Sequence, residues 1–284
     1  MSETVADPEK GTDRAEPVLR RELLSMIPAF PCGQVACKCC GGKATPWGVA
    51  DFNRSANGAG CAGVPWQQWD LSGIPVHYHR CHACGAIFTT AFDGFSRTDF
   101  SQYIYNEGYA RVDPDYQQAR PQANAQFISN LLGANRDIPL LDYGGGNGYL
   151  ARCLRQAGFT DAHTYDPFVP EYASKPSRRF QCLFAFEVVE HSNHPWETFE
   201  EMASLLDEEG LIVFSTVLQP PDIDQQRMNW WYIAPRNGHV TLYTGAALHT
   251  IAQRLGFSCC SRDGMIHAMF RERVPAFAQH SIRL

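Results

Sequence analysis

The 284 residues suit one large domain, or a main domain with a small appendage. Hydrophobic residues at 44% and charged residues at 19% exclude a disordered or collagen-like chain. A formal net charge of −6 argues against bulk electrostatic binding of nucleic acid, and eleven cysteines in a chain too long to need disulfide staples call for a metal, catalytic or packing explanation.

The first residues, MSETVADPEKGTDRAEP, mix acids and bases and carry no apolar core, so they read as neither a signal peptide nor a mitochondrial transit peptide. The first 15 or so are expected to form a disordered tail. No run approaches the ~18–20 apolar residues of a membrane span, so a cytoplasmic protein with reduced thiols and no membrane partner is expected. Tail and short helix are assigned to residues 1–34, with PVLRRELLSMI as an amphipathic stretch ended by Pro28 and Pro31.

Residues 35–95 are rich in Cys, Gly and aromatics and are read as a ribbon domain. Cys37 and Cys40 make one C-x2-C knuckle, Cys81 and Cys84 a second, and a Gly follows each. Two thiolates in a tight turn grip one face of a tetrahedral ion, and two such turns complete a four-cysteine site for structural Zn2+. A redox-active or merely packed C-x2-C is the alternative. Cys39 and Cys61 are candidate substitute ligands, with His77, His79 and His82 weaker ones. The long interval between knuckles is expected to hold a loop around NRSANGAGCAGVP. Of the other cysteines (Cys32, Cys39, Cys61, Cys153, Cys182, Cys259 and Cys260), Cys153 and Cys182 lie in apolar patterns and are assigned to the core.

In residues 96–284 apolar runs alternate with helical patterns. Strands are predicted at 138–143, 161–166, 180–189 and 210–217, helices at 112–133, 148–158, 195–206 and 245–256, and a final antiparallel pair in FSCCSRDG and MIHAMFRER. Alternation of this kind implies an α/β domain built on a mostly parallel sheet.

The segment Leu140–Ala151 follows a strand and opens a helix. Tyr149 breaks the G-x-G-x-x-G dinucleotide pattern, and no P-loop Lys-Ser/Thr is present. What remains is D-x-G-x-G-x-G, formed by Asp142, Gly144, Gly146 and Gly148. An acid beside this turn disfavours a pyrophosphate and suits a cationic amino-acid group. Asp166, at the tip of the next strand, is placed to accept both hydroxyls of a ribose. A ribose, an amino acid and no phosphate together point to S-adenosylmethionine (SAM).

These residues carry a family resemblance. LDYGGGNGYLA, TYDPF and FAFEVVEH-x4-W resemble the glycine turn, ribose acid and fourth-strand segment of class I SAM-dependent methyltransferases. EEGLIVFSTV resembles their fifth strand, and WWYIAPRNGHVTLYTGAALHTIAQRLGF the segment that leads into the next helix. The match spans about residues 115–270. With the four-cysteine ribbon, the whole is similar to sugar C-methyltransferases and to some rRNA guanine methyltransferases. The resemblance implies a doubly wound, Rossmann-like, mostly parallel sheet with an antiparallel last strand. The stretch from Asp166 to Phe180 leaves room only for an abbreviated second helix and third strand, and the family's adenine-contacting acid has no counterpart.

Among chemistry-bearing residues, Glu187 and Glu190 fall at the carboxyl end of the fourth strand, and Glu187 is assigned to the cofactor. His191, by family analogy, lies on the acceptor side, where an imidazole takes a hydroxyl proton. His239 follows a loop with Trp230, Trp231 and Tyr232 that could stack an acceptor, and Arg236 is a candidate phosphate holder. His191 and His239 are the candidate catalytic residues. The aromatic stretch 95–109 is read as packing between ribbon and helix, with a lid as the alternative. The expected activity is methyl transfer from SAM to a small-molecule or sugar acceptor approaching under residues 187–194 and 228–243. The alternatives are an RNA methyltransferase that uses the ribbon as a grip, or a SAM-binding protein without catalysis. Within residues 36–90, Lys38, Lys43, Arg54 and Arg80 against Asp51 and Asp70 make a weak phosphate tract.

Overall fold

A computed structural model describes residues 16–27, 33–56 and 69–282. The expected tail, Pro28, Pro31, Cys32, Cys61 and most of the loop around it lie outside the described residues.

Helix α1 (Glu16–Met26) turns Leu23 into an apolar cluster with Trp47, Val76 and Tyr78 of the ribbon. The ribbon is an antiparallel sheet of β1 (Val35–Ala36), β2 (Lys43–Asp51), β3 (Pro75–Cys81) and β4 (Ile87–Thr89). Strands β2 and β3 pair from Ala44 opposite Cys81 to Asp51 opposite Pro75, with a bulge between Pro46 and Gly48, where proline has no N–H to give the ladder.

A capping box starts α2 (Arg97–Tyr103): Ser96 Oγ accepts from Asp99 N, and Asp99 Oδ2 accepts from Ser96 N. Helices α3 (Tyr109–Val112) and α4 (Ala119–Leu132) follow. The main sheet then takes β5 (Leu140–Tyr143), α5 (Tyr149–Gln156), β6 (Ala162–Tyr165), β7 (Phe180–Phe186), α6 (Pro195–Ser204) and β8 (Leu206–Ser215). Beyond it come α7 (Ile223–Gln226), β9 (Thr241–Leu242), α8 (Gly245–Arg254), β10 (Ser258–Arg262) and β11 (Ile266–Phe270).

The main sheet runs β10-β11-β8-β7-β5-β6. Strands β5 to β8 are parallel, while β11 runs antiparallel to β8 and to β10. This is the expected mostly parallel α/β sheet with an antiparallel end. Helices cover both faces, which is why its strands read as unbroken apolar runs. Leu141, Leu183 and Phe214 face α6 and α8 through Phe199 and Leu248, and Leu140, Phe184 and Val213 face α4 and α5 through Ile128 and Leu154. Cys182 is buried in this core, whereas Cys153 is half-buried on α5. Residues 166–179 form neither helix nor strand, so the expected second helix and third strand are missing rather than abbreviated.

Strand β9 does not join the main sheet. It pairs with β4, Ile87 opposite Leu242 and Phe88 opposite Thr241, and so extends the ribbon. The ribbon's cysteines also pack with Tyr243 and Leu248 in one apolar cluster.

Candidate active site

The switch in strand order falls at β5, whose neighbours β6 and β7 lie on opposite sides; a crevice at such a point is where open α/β sheets bind ligands. A cavity of about 750 Å³ opens there, at the carboxyl ends of β5, β6 and β7.

One side of the cavity is built from the glycine turn. Gly144, Gly146 and Gly148 all take positive φ, and the last caps α5. The close approach belongs to Gly145, a residue outside the alternating pattern. A Cβ there would stand 2.2 Å from Asp142 Oδ2 and 2.8 Å from Thr164 Cγ2. Asp142 is thus folded beneath the turn with Oδ2 buried and no hydrogen-bond partner. Burial, with the nearby Asp166 charge adding to it, pushes its carboxyl up to about 8. Asp166 ties the turn to the next loop: Oδ2 accepts from Gly146 N and Oδ1 from Phe168 N, each at 2.8 Å. Burial raises its pKa, against the pull of those N–H groups. Glu187 ends β7 in a left-handed conformation, φ 54°, held by Ser215, whose Oγ accepts from Glu187 N and donates to Glu187 Oε1.

The opposite side is aromatic. Phe95, Phe100, Tyr105, Tyr109 and Phe168 line it, with Tyr105 edge-on to Tyr109 and Phe168 at 5.2 and 5.3 Å between ring centres. The stretch 95–109 is therefore both packing, through Tyr103 and Ile104, and cavity wall. His191 lines the cavity next to Tyr105, and burial together with His239 holds its pKa well below the usual imidazole value.

His239 is placed differently from the expectation. It lies behind His191, 5.1 Å between ring centres, and is not part of the cavity lining. The loop before it also turns away: Trp230 and Tyr232 are buried in the apolar cluster beneath 95–112, and Trp231 faces outward. Of the two segments expected over the acceptor, 187–194 and 228–243, only the first contributes to the cavity lining. Arg236 does not line the cavity; it is buried and donates to Ile104 O and Asn106 Oδ1. The reason is tertiary, because the ribbon claims this loop. Arg54 donates to Ile233 O and Trp230 O, Tyr78 OH to His239 O, and Ala56 N to Asn237 Oδ1.

The sequence pattern assigns Glu187 to the cofactor and gives Glu190 no role, yet Glu190 is fully buried behind the cavity. Its Oε1 accepts from Tyr232 OH at 2.5 Å, and burial raises its pKa well above the carboxylate range. The signal available was its place next to His191 at the end of an apolar strand.

In the ribbon, Cys37, Cys40, Cys81 and Cys84 bring their sulfurs within 4.8 Å of one another. The closest pairs, Cys37–Cys84 at 3.6 Å and Cys40–Cys81 at 3.4 Å, are near the ~3.8 Å edge of a tetrahedron with 2.3 Å metal–sulfur bonds. Backbone N–H groups of Cys39, Gly42 and Ala83 point at these sulfurs, and Gly41 and Gly85 take the left-handed turns their positions required. Cys39 is buried beside Cys37 but outside the set of four. The histidines are engaged elsewhere: His79 stacks on Phe88, and His82 shares a hydrogen bond with Thr45.

Residues 116–261, just over half of the chain, match the family described as a methyltransferase domain. The chain belongs to this family and is a SAM-dependent methyltransferase. Similar solved structures include magnesium protoporphyrin IX methyltransferase from Synechocystis with bound SAH, at 15% identity over 64% of this chain and 97% of that one, TM-score 0.42. Another is the 1,6-didemethyltoxoflavin-N1-methyltransferase of Burkholderia thailandensis, at 14% identity over 61% of this chain and 84% of that one, TM-score 0.44. The plantazolicin methyltransferase BpumL matches at 12% identity over 62% of this chain and 95% of that one, TM-score 0.44. No curated protein matches the sequence.

Proposed function

We propose that this enzyme methylates a small-molecule acceptor, sugar derivatives included, in the cavity between the glycine turn and the aromatic wall. The observation that carries this reading is the cavity itself: about 750 Å³ lies within the range of small-ligand sites, with carboxylates on one side and rings on the other. The residues fit the cofactor. Asp142 Oδ2, buried and unpartnered beneath the turn, suits the ammonium of SAM, and the lone pairs Asp166 retains suit the ribose hydroxyls. Gly144, Gly146 and Gly148 let the backbone pass close to the ligand, and Glu187 closes the same side from β7.

The cofactor supplies a methyl group already activated on a sulfonium, so positioning does most of the work. The aromatic wall holds the acceptor and excludes water. Burial keeps His191 neutral, leaving a lone pair on the acceptor side for a departing proton. Behind it His239 donates Nδ1–H to Tyr232 O at 2.8 Å, which leaves its Nε2 lone pair free. Cys37, Cys40, Cys81 and Cys84 hold a structural Zn2+, whose role is to fix the ribbon that in turn fixes the loop carrying His239.

The ribbon's bases support a small acceptor over RNA: Lys38 pairs with Asp93, Arg80 with Asp224, and Arg54 points inward. The test is mass spectrometry of cell extract incubated with the enzyme and methyl-labelled SAM. A labelled small molecule that persists after RNase treatment is expected; label confined to RNA and lost with RNase overturns the reading. Asp166→Ala should weaken SAM binding at least about tenfold, the cost of a lost charged hydrogen bond, in a calorimetric titration; unchanged affinity removes the ribose assignment.

A further inference from the structure

At the cavity wall and just behind it, Glu190, His191 and His239 each offer one ligand atom, all within 4.8 Å of one another. Two of these groups have polar atoms with no hydrogen-bond partner. Glu190 Oε2 is buried on a side chain with no exposed surface, and His191 Nδ1 is buried as well. A buried carboxylate oxygen without a partner is costly, so native proteins rarely leave one.

One residue orients two of the three groups. Tyr232 donates its hydroxyl to Glu190 Oε1 and accepts His239 Nδ1–H on its carbonyl, which leaves Glu190 Oε2 and His239 Nε2 as the atoms to offer an ion. Metal-binding histidines and carboxylates are commonly fixed by such outer hydrogen bonds. A proton shared directly between these groups would need atoms about 2.7–3.0 Å apart. Ligands around one cation at about 2.1 Å stand roughly 3–4 Å from one another. Neither Glu190 Oε2 nor His191 Nδ1 makes such a bond, and a span of at most 4.8 Å closes onto an ion with side-chain movements of about 1 Å.

We propose that Glu190, His191 and His239 form a binding site for one divalent first-row transition cation at the cavity wall, where His191, the ligand that lines the cavity, brings the ion beside the proposed acceptor. Two imidazoles and one carboxylate are a donor set such ions favour, and three protein ligands leave coordination positions free. The second acid, Glu187, lies close enough to repel Glu190, and a cation relieves that repulsion. The nearby Arg120 is taken up by a two-pronged pair with Asp113.

The inference rests on the acceptor side assigned above and narrows it to an acceptor whose hydroxyl coordinates the ion. The two imidazole lone pairs then hold the cation, and the cation lowers the hydroxyl pKa. The O–H bond breaks with the proton passing to solvent. The oxygen forms a bond to the methyl carbon, and the carbon–sulfur bond breaks with its electron pair kept by sulfur.

The test uses the full chain loaded with zinc at its four cysteines, titrated with Mn2+ and followed by loss of the free Mn2+ signal in electron paramagnetic resonance. Oxygen and nitrogen ligands take Mn2+ while the thiolates keep zinc. One Mn2+ per chain is expected, with affinity reduced at least tenfold in Glu190→Gln and in His239→Gln, each checked for an unchanged melting curve. Tyr232→Phe should weaken binding less, because it removes only an orienting hydroxyl. Absence of Mn2+ binding in the wild type, or equal binding in folded variants, overturns the site. Transfer to a small acceptor that survives chelation with the zinc still bound overturns the site and leaves the proposed function standing. Label found only in RNA strikes the proposed function whatever the Mn2+ result.

Discussion

The two sides of the cavity are made in different ways. The proposed cofactor side is local: Asp142, the glycine turn and Asp166 come from 25 consecutive residues, joined by β5, α5 and β6. The proposed acceptor side is assembled from distant pieces. His191 follows β7, the aromatic wall comes from residues 95–109, and His239, behind His191, sits on a loop that the ribbon pins from more than 150 residues away in the chain. A short turn needs only its own backbone to take shape. The proposed acceptor side leans on the ribbon through that loop, so damage far from the cavity should reach it.

The largest effect tests that dependence. Cys81→Ser should cost at least about 4 kcal/mol, the scale of a lost structural metal, read as a fall in melting temperature and as zinc loss. A melting curve like that of the wild type would show that the ribbon's sulfur cluster carries no stability. Next, Gly145→Ala strikes the cofactor side alone. Its Cβ would meet Asp142 Oδ2 at 2.2 Å, so a loss of up to about 3 kcal/mol is expected, together with weakened S-adenosylhomocysteine binding. Unimpaired binding would mean that the turn tolerates a side chain where the structure allows none.

Arg54→Ala sharpens the comparison from the other side. It removes hydrogen bonds to the carbonyls of Trp230 and Ile233, at a cost of about 2 kcal/mol. Turnover of the acceptor should fall while S-adenosylhomocysteine affinity holds; an equal loss of both would merge the two sides into one unit.

The smallest effect is a pH dependence. Asp142 is pushed up to about 8, so below that pH a ligand ammonium must expel a proton to find a carboxylate. Affinity for S-adenosylhomocysteine should therefore weaken by up to about tenfold per pH unit below about 8, with proton release on binding, and Asp142→Asn should flatten the profile. In the free protein the sign is the opposite of a salt-bridged acid. The native state keeps a proton that the unfolded chain has lost, so this group's contribution to stability declines as pH rises from about 4 to about 8.

The glycine turn, both C-x2-C knuckles and the strands of the main sheet were legible because each depends on neighbours in sequence. An alternating D-x-G-x-G-x-G run, two thiols one turn apart and an apolar run between helices state their own geometry. Gly145 escaped attention because its importance comes from Asp142 folding back beneath it. Arg236, Trp230 and His239 were placed at the acceptor because a loop of aromatics and bases reads as a binding surface. Their side chains are instead spent on Ile104, on the apolar cluster and on Tyr232.

By itself the sequence determined an α/β sheet, its glycine turn and four sulfurs spaced for one ion, since helix, strand and knuckle periods are properties of short segments. Tertiary structure alone decided that β9 joins the ribbon, that Glu190 is buried beside two imidazoles, and that His191 rather than His239 meets the cavity. These depend on which distant carbonyls and rings take up each side chain, and pairing across more than a hundred residues leaves no period in the sequence to read.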